Sequence, residues 1–268
     1  MTDVMIETYL GRIGCPDLTD VNRENLFRIQ EGHLKHIPYE NIDIFLGAGM
    51  TPLEPDYLFD KIILGHRGGY CFELNGLLGE LLRSLGYKVE EYFARWHFGE
   101  PDAVPMRRHR ILRTTVGGED FLVDAGVGCL CPLQPLEYRF DLIQHRNGAN
   151  YRIVRDDALG CVVQTETPDG FVPFYSFVTD PHFPQDFIYA HYYCSSAPDS
   201  VFRTKLMAHI YTDTGRKRIE EVPAADGSLV QVLKTVSGTG EPEVREIRGR
   251  RALEQILRQE FGIICSLS

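Results

Sequence analysis

Three residues whose types can together perform acyl-transfer or peptide chemistry stand in chain order here: Cys71, His109 and Asp124. A thiol becomes an effective nucleophile when a base takes its proton and a third group orients that base. Cys71 lies in the run Arg67-Gly68-Gly69-Tyr70-Cys71-Phe72-Glu73. Leu74, Leu77, Leu78, Leu81, Leu82 and Leu85 follow it at the i, i+3, i+4 spacing of a buried helix face, and Gly86 stands where a helix ends. Cys71 is therefore expected at a helix N-terminus beside the charge of Arg67. Unpaired N–H groups and the helix dipole favour an anion at such a position. The competing reading is an inert, buried thiol.

His109 and Asp124 belong to a hairpin. Alternating residues run from His109 to Val116, Gly117-Gly118 is a two-residue turn signal, and Phe121 to Asp124 returns. A turn centred on the two glycines sets Ile111 opposite Asp124 and His109 opposite Gly126. His109 and Asp124 then share a face as diagonal neighbours, with Cβ atoms about 7–8 Å apart at most. A slip of one residue would separate them. On spacing alone, a surface aspartate near a turn and a satisfied core histidine are the plainer reading. Cys129-Leu130-Cys131 is the rival site, but its one-residue gap is not the usual zinc spacing, so no metal is expected. His33, His36 and His66 read as capping or surface histidines.

Stepping outward, the elements that would position these residues fall into three parts. Residues 1–86 show helical spacing. There is a segment from Val4 to Ile13, a second helix capped by Thr19 or Asp20, and a third opening at Pro55 and closing at Gly65. They predict a helical bundle carrying the cysteine. Residues 87–199 change to period two with frequent turns, which predicts an antiparallel β-barrel or strongly curled sheet carrying His109 and Asp124. Residues 200–268 mix strand patterns with a helix from about Arg248, whose Arg250, Arg251, Glu254 and Arg258 read as a solvated face. The fold class is α+β.

Composition narrows the function. The 268 residues are 43% hydrophobic and 25% charged, ordinary for a globular chain. A net charge of −10 argues against a sequence-independent nucleic-acid binder. Seven scattered cysteines and the lack of a signal-peptide pattern predict a reducing cytoplasm. No apolar run is long enough to span a membrane. Neither a P-loop nor a dinucleotide-binding glycine motif occurs.

The motifs resemble those of the arylamine N-acetyltransferases over nearly the whole chain. Arg67 to Glu73, with Asn75-Gly76, is similar to the family's segment around its nucleophile. His33 with Pro38-Tyr39-Glu40-Asn41 looks like an upstream segment. His109-Arg110 and Val123 to Gly128 look like the segments that hold the other two members of its triad. Tyr193 to Pro198 with Ser200-Val201-Phe202, and Thr214-Gly215-Arg216, extend the likeness. The resemblance implies a helical bundle, a barrel and an α/β lid around a cysteine-protease-like triad. It implies Cys71 as acetyl carrier, His109 as base and Asp124 as its orienting group. The co-substrate would be acetyl-CoA and the acceptor a small aromatic amine or hydrazine, reached by a ping-pong route. Arg67 and Glu40 would form a supporting ion pair, and Tyr39, Val127 and Phe202 would line the acceptor pocket. Val127 stands where the family often has Phe, Arg108 where Thr is usual, and Cys129 to Pro132 replace a Gly-rich continuation.

Overall fold

The computed structural model describes residues 1–100, 104–224, 227–238 and 240–267, and at Cys129 the backbone alone. The chain opens with α1 (Asp3–Arg12) and α2 (Arg23–His36). α2 starts later than its spacing predicted. Asn22, not Thr19 or Asp20, caps it, accepting the Asn25 N–H at 2.8 Å. The Asp20 carbonyl instead takes the Asn25 side-chain amide and the Tyr87 hydroxyl. β1 (Tyr39–Glu40) and α3 (Ile42–Phe45) follow, then α4 (Pro55–Leu58), which runs into a wider π-type turn at Phe59–Leu64. α5 (Cys71–Leu85) is the central helix. Leu74, Leu77, Leu78, Leu81 and Leu82 are fully buried on it, each contributing about 1.5–3 kcal/mol by leaving water. Gly86 ends it at φ 100°.

The sheet region comprises β2 (Lys88–Trp96), β3 (Arg107–Val116), β4 (Glu119–Val123), β5 (Leu136–Glu137), β6 (Gln144–Arg146), β7 (Ala149–Asp156), β8 (Gly160–Thr167) and β9 (Gly170–Phe177). They form one antiparallel sheet ordered β5-β4-β3-β2-β9-β8-β7-β6. The sheet curls until its two edge strands nearly meet. Gln144 bridges the seam: its Oε1 accepts the Glu137 N–H at 2.8 Å and its Nε2 donates to the Glu137 carbonyl at 2.9 Å. In the β3–β4 hairpin Leu112 faces Val123 and Thr114 faces Phe121, the register expected of a turn at Gly117-Gly118.

After the barrel strands the chain forms α6 (Ile188–Ser196) and α7 (Val201–Thr204). It continues through β10 (Ala208–Thr212), β11 (Gly215–Pro223), β12 (Leu229–Ser237) and β13 (Glu243–Glu246), ending in α8 (Arg250–Phe261). β1 joins these strands in a second sheet ordered β1-β10-β11-β12-β13. α8 packs Leu253, Ile256, Leu257 and Phe261 beneath it, in a core with Ile219 and Leu233. The architecture is α+β: helices, a nearly closed antiparallel barrel, and an α/β lid.

α6 was not foreseen. Its buried positions are Ala190, His191, Cys194 and Ser195, a helical face of small and polar residues that leaves no apolar stripe. It nonetheless packs into the core around α5, where Ala190 and Cys194 join Phe72 and Leu74.

Candidate active site

Three elements converge on Cys71. The cysteine is the first residue of α5, His109 lies near the start of β3, and Asp124 directly follows β4. All three are buried. His109 Nε2 is 2.7 Å from Asp124 Oδ2, and the Cys71 thiol is near enough to the same imidazole to favour its charged form. The thiol also reaches the Arg108 carbonyl at 3.7 Å. With Nε2 committed to the carboxylate, Nδ1 is the ring atom left for the sulfur.

Burial alone would push the His109 imidazole toward neutrality. The Asp124 carboxylate, its hydrogen bond and the adjacent thiol outweigh this and push its pKa up to about 10.

Asp124 is itself held on every side. Its Oδ1 accepts Asn75 Nδ2 and the Gly126 N–H, both at 2.8 Å, and its own N–H donates to Gln30 Oε1 at 3.2 Å. Asn75 also accepts the Ala125 N–H at 2.8 Å and donates to the Arg110 carbonyl, tying α5 to both strands of the hairpin. Gly126 passes so close to the nucleophile that a Cβ there would lie 2.6 Å from Cys71 Cα. Asn75 stood within the motif around Cys71, but nothing in its spacing disclosed that it orients the aspartate. Gln30, far away in the chain, gave no signal at all.

Before Cys71 the chain is anchored by charge. Arg67 Nε donates to Glu40 Oε1 at 2.9 Å and a terminal nitrogen reaches Asp43 Oδ1 at 2.8 Å. Lys61 joins Asp43 at 2.9 Å and Glu73 at 2.7 Å. Glu73 also accepts the Tyr70 N–H at 3.1 Å, closing the first turn of α5. Burial by itself would raise the Asp43 pKa, but Lys61 and Arg67 lower it below the usual carboxylate range. The ion pair expected between Arg67 and Glu40 is thus part of a larger buried cluster that includes Asp43, Lys61 and Glu73. Arg67 is paired with carboxylates rather than aimed at Cys71. Gly68 lets this loop cross the upstream chain, since a Cβ there would lie 1.9 Å from the Pro38 carbonyl oxygen.

Cys71 and His109 open onto a cavity of about 220 Å³. Tyr39, Val127 and Phe202 line it, and so do Trp96, Leu130 and Met207. Arg108 lines the same cavity, paired with Glu100 at 2.5 Å. Cys131 is buried away from the cavity wall, where its sulfur accepts the Val127 N–H at 3.3 Å. The Cys129 side chain lies outside the described residues. Among the described residues no group of three or more His, Cys, Asp or Glu could hold a metal ion. His33 corrects its surface reading: it is fully buried, 3.0 Å from the Tyr9 hydroxyl. His36 and His66 are exposed.

The chain as a whole is similar to known proteins. A family model described as N-acetyltransferase matches residues 22–267, so the class defined by fold and cavity is an acetyl-transferring enzyme. The arylamine N-acetyltransferase of Mycobacterium tuberculosis is 33% identical over 266 residues, covering 93% of each chain. The solved structure of the Mycobacterium marinum arylamine N-acetyltransferase superposes with a TM-score of 0.86 at 30% identity, covering 96% of this chain and 92% of that one. The same enzyme in complex with CoA gives 0.84, with the same identity and coverage. The chain belongs to the arylamine N-acetyltransferase family.

Proposed function

We propose that this protein transfers the acetyl group of acetyl-CoA to the nitrogen of small aromatic amines or hydrazines, by a ping-pong route through acetyl-Cys71. The observation that carries this reading is the Cys71–His109–Asp124 alignment at the floor of an apolar cavity.

Before the first half-reaction the thiol proton already rests on His109, whose raised pKa favours a Cys71 thiolate beside an imidazolium, and the thiolate sulfur attacks the thioester carbonyl. The carbon–sulfur bond to coenzyme A breaks, and the departing thiolate takes the proton back from His109. In the second, the amine nitrogen attacks acetyl-Cys71 and loses a proton to His109. The Cys71 sulfur leaves as a thiolate beside that imidazolium, which restores the starting pair. The Asp124 carboxylate fixes the tautomer and stabilises the imidazolium in both. The oxyanion is assigned to the Cys71 N–H, in the first turn of α5 where no intrahelical acceptor is available. The N–H groups of Gly126 and Val127 are already taken by Asp124 and Cys131.

Tyr39, Val127 and Phe202 are assigned to the acceptor, because they line the cavity with the sulfur. Arg67 and Glu40 support the loop. The chain is read as three units, residues 1–86, 87–199 and 200–268, with β1 crossing from the first to the third. A cytoplasmic site is part of the proposal. The six described free cysteines suit a reducing compartment, and no helix among the described residues is long and apolar enough to cross a membrane. No nucleic acid or membrane is proposed as a partner.

The test is release of free coenzyme A from acetyl-CoA. It should require an arylamine for sustained turnover and vanish in Cys71→Ala. Peptide or isopeptide cleavage without an acyl donor would point to a hydrolase instead.

A further inference from the structure

The mechanism above gives no role to one imidazole on the cavity wall. His209 lies on β10 directly opposite Tyr39 of β1, with the two ring centroids 5.5 Å apart. It lines the cavity that holds Cys71 and His109. Its Nδ1 is buried and has no hydrogen-bond partner among the described residues. The reason is Gly128, whose φ of +60° brings its backbone onto the ring: a Cβ there would lie 2.4 Å from His209 Nδ1. A ring nitrogen facing a Cα is better placed with its lone pair there than with an N–H directed at a carbon that accepts nothing. That puts the proton on Nε2, the nitrogen left for the cavity. Burial, with Arg218 nearby, pushes the His209 pKa down to about 4, so the ring is neutral near pH 7.

Distance adds a constraint. Gly126 abuts Cys71 and Gly128 abuts His209. Two residues of chain span at most about 7 Å. Val127 lies between them on the cavity wall. That bound keeps the imidazole on the same stretch of wall as the nucleophile and admits one substituted aromatic ring between them. The charged groups near the sulfur are engaged, His109 with Asp124 and Arg108 with Glu100.

We propose that His209 is a specificity-determining residue of the acceptor site, donating a hydrogen bond to an oxygen or ring nitrogen carried by the aromatic amine on the side away from its attacking nitrogen. This rests on the function proposed above and names the acceptor class: aromatic amines or hydrazines bearing a hydrogen-bond acceptor across the ring. A coenzyme A phosphate is not the partner, because the pantetheine arm carries the phosphates much farther from Cys71 than one ring's width.

The experiment compares two acceptors of nearly the same shape, 4-aminoacetophenone and 4-ethylaniline, each with acetyl-CoA. In His209→Phe the ratio of their kcat/KM values should fall about three- to tenfold relative to wild type, the size of one neutral hydrogen bond. The change should appear in KM for the ketone. His209→Gln, which keeps an N–H donor, should retain most of the ratio. Because the ratio is internal to each variant, a loss of folded enzyme cancels. An unchanged ratio in His209→Phe, with both amines still acetylated, would overturn the role of His209 and leave the function standing. Wild-type protein that acetylates neither amine would overturn both.

Discussion

The two oxygens of Asp124 face different partners. Oδ2 meets His109 Nε2, while Oδ1 accepts Asn75 and the Gly126 N–H. This division predicts the outcome of Asp124→Asn. The new amide keeps its oxygen where Asn75 and Gly126 donate, so its NH2 points at His109. Nε2 must then accept, the ring proton moves to Nδ1, and the imidazole can no longer take a proton from Cys71. Turnover should fall on the order of 10³- to 10⁴-fold while the circular dichroism spectrum is unchanged. Turnover within tenfold of wild type would show that Asp124 does not set the tautomer. Much of this site was readable from residue types. The thiol stood at a helix start, and two glycines set the parity of the hairpin. What could not be read were the residues that hold the site from a distance. Asn75 and Gln30 act through the fold, and His209 becomes a cavity residue only because β10 pairs with β1.

At the scale of elements, the loop before α5 depends on charge buried with charge. Arg67 and Lys61 are shared among Glu40, Asp43 and Glu73, and the Glu40 side chain is wholly buried. Arg67→Met would leave Glu40 facing no cation of its own. It should destabilise the protein by about 3–5 kcal/mol, the cost of breaking a buried pair. Adding Glu40→Gln should recover part of that loss. Urea unfolding of the two variants checks this, and a loss below about 1 kcal/mol in Arg67→Met would mean that the pair is effectively solvated. Gln144 poses a similar question for the barrel. Gln144→Leu leaves the Glu137 N–H without its partner at the seam, while the Glu137 carbonyl keeps the Arg139 N–H, and should cost about 1–3 kcal/mol, read as a lowered urea midpoint. Period and turn chemistry made α5 and the β3–β4 hairpin visible in the sequence. They could not reveal β1, a two-residue strand whose partner lies far along the chain, nor α6, whose buried face is small and polar.

For the whole molecule, buried histidines set opposing slopes of stability against pH. Burial, with Arg12 nearby, holds His33 down to about 3, and His209 is held down to about 4. Between those values and the unfolded value near 6.5, the unfolded chain binds more protons, so stability falls as pH falls through that window. His109 behaves in the opposite sense. Its pKa is raised to about 10, so its contribution is fully present below about 6.5 and is lost as pH rises toward 10. The urea midpoint should therefore peak near pH 6.5. His33→Gln should flatten the acid side, by an amount on the order of 1–4 kcal/mol, and His109→Gln the alkaline side. A midpoint that does not respond to either substitution would contradict the assignment of these slopes.

The central claim is that Cys71 carries the acetyl group, and the mass of the intact chain tests it directly. Mixed with acetyl-CoA and no amine, wild-type protein should gain one acetyl group, which peptide mapping locates on Cys71. An arylamine should remove it, and Cys71→Ala should gain nothing. A chain that turns over acetyl-CoA and arylamine without ever gaining that mass, or that carries it on another residue, would contradict the account.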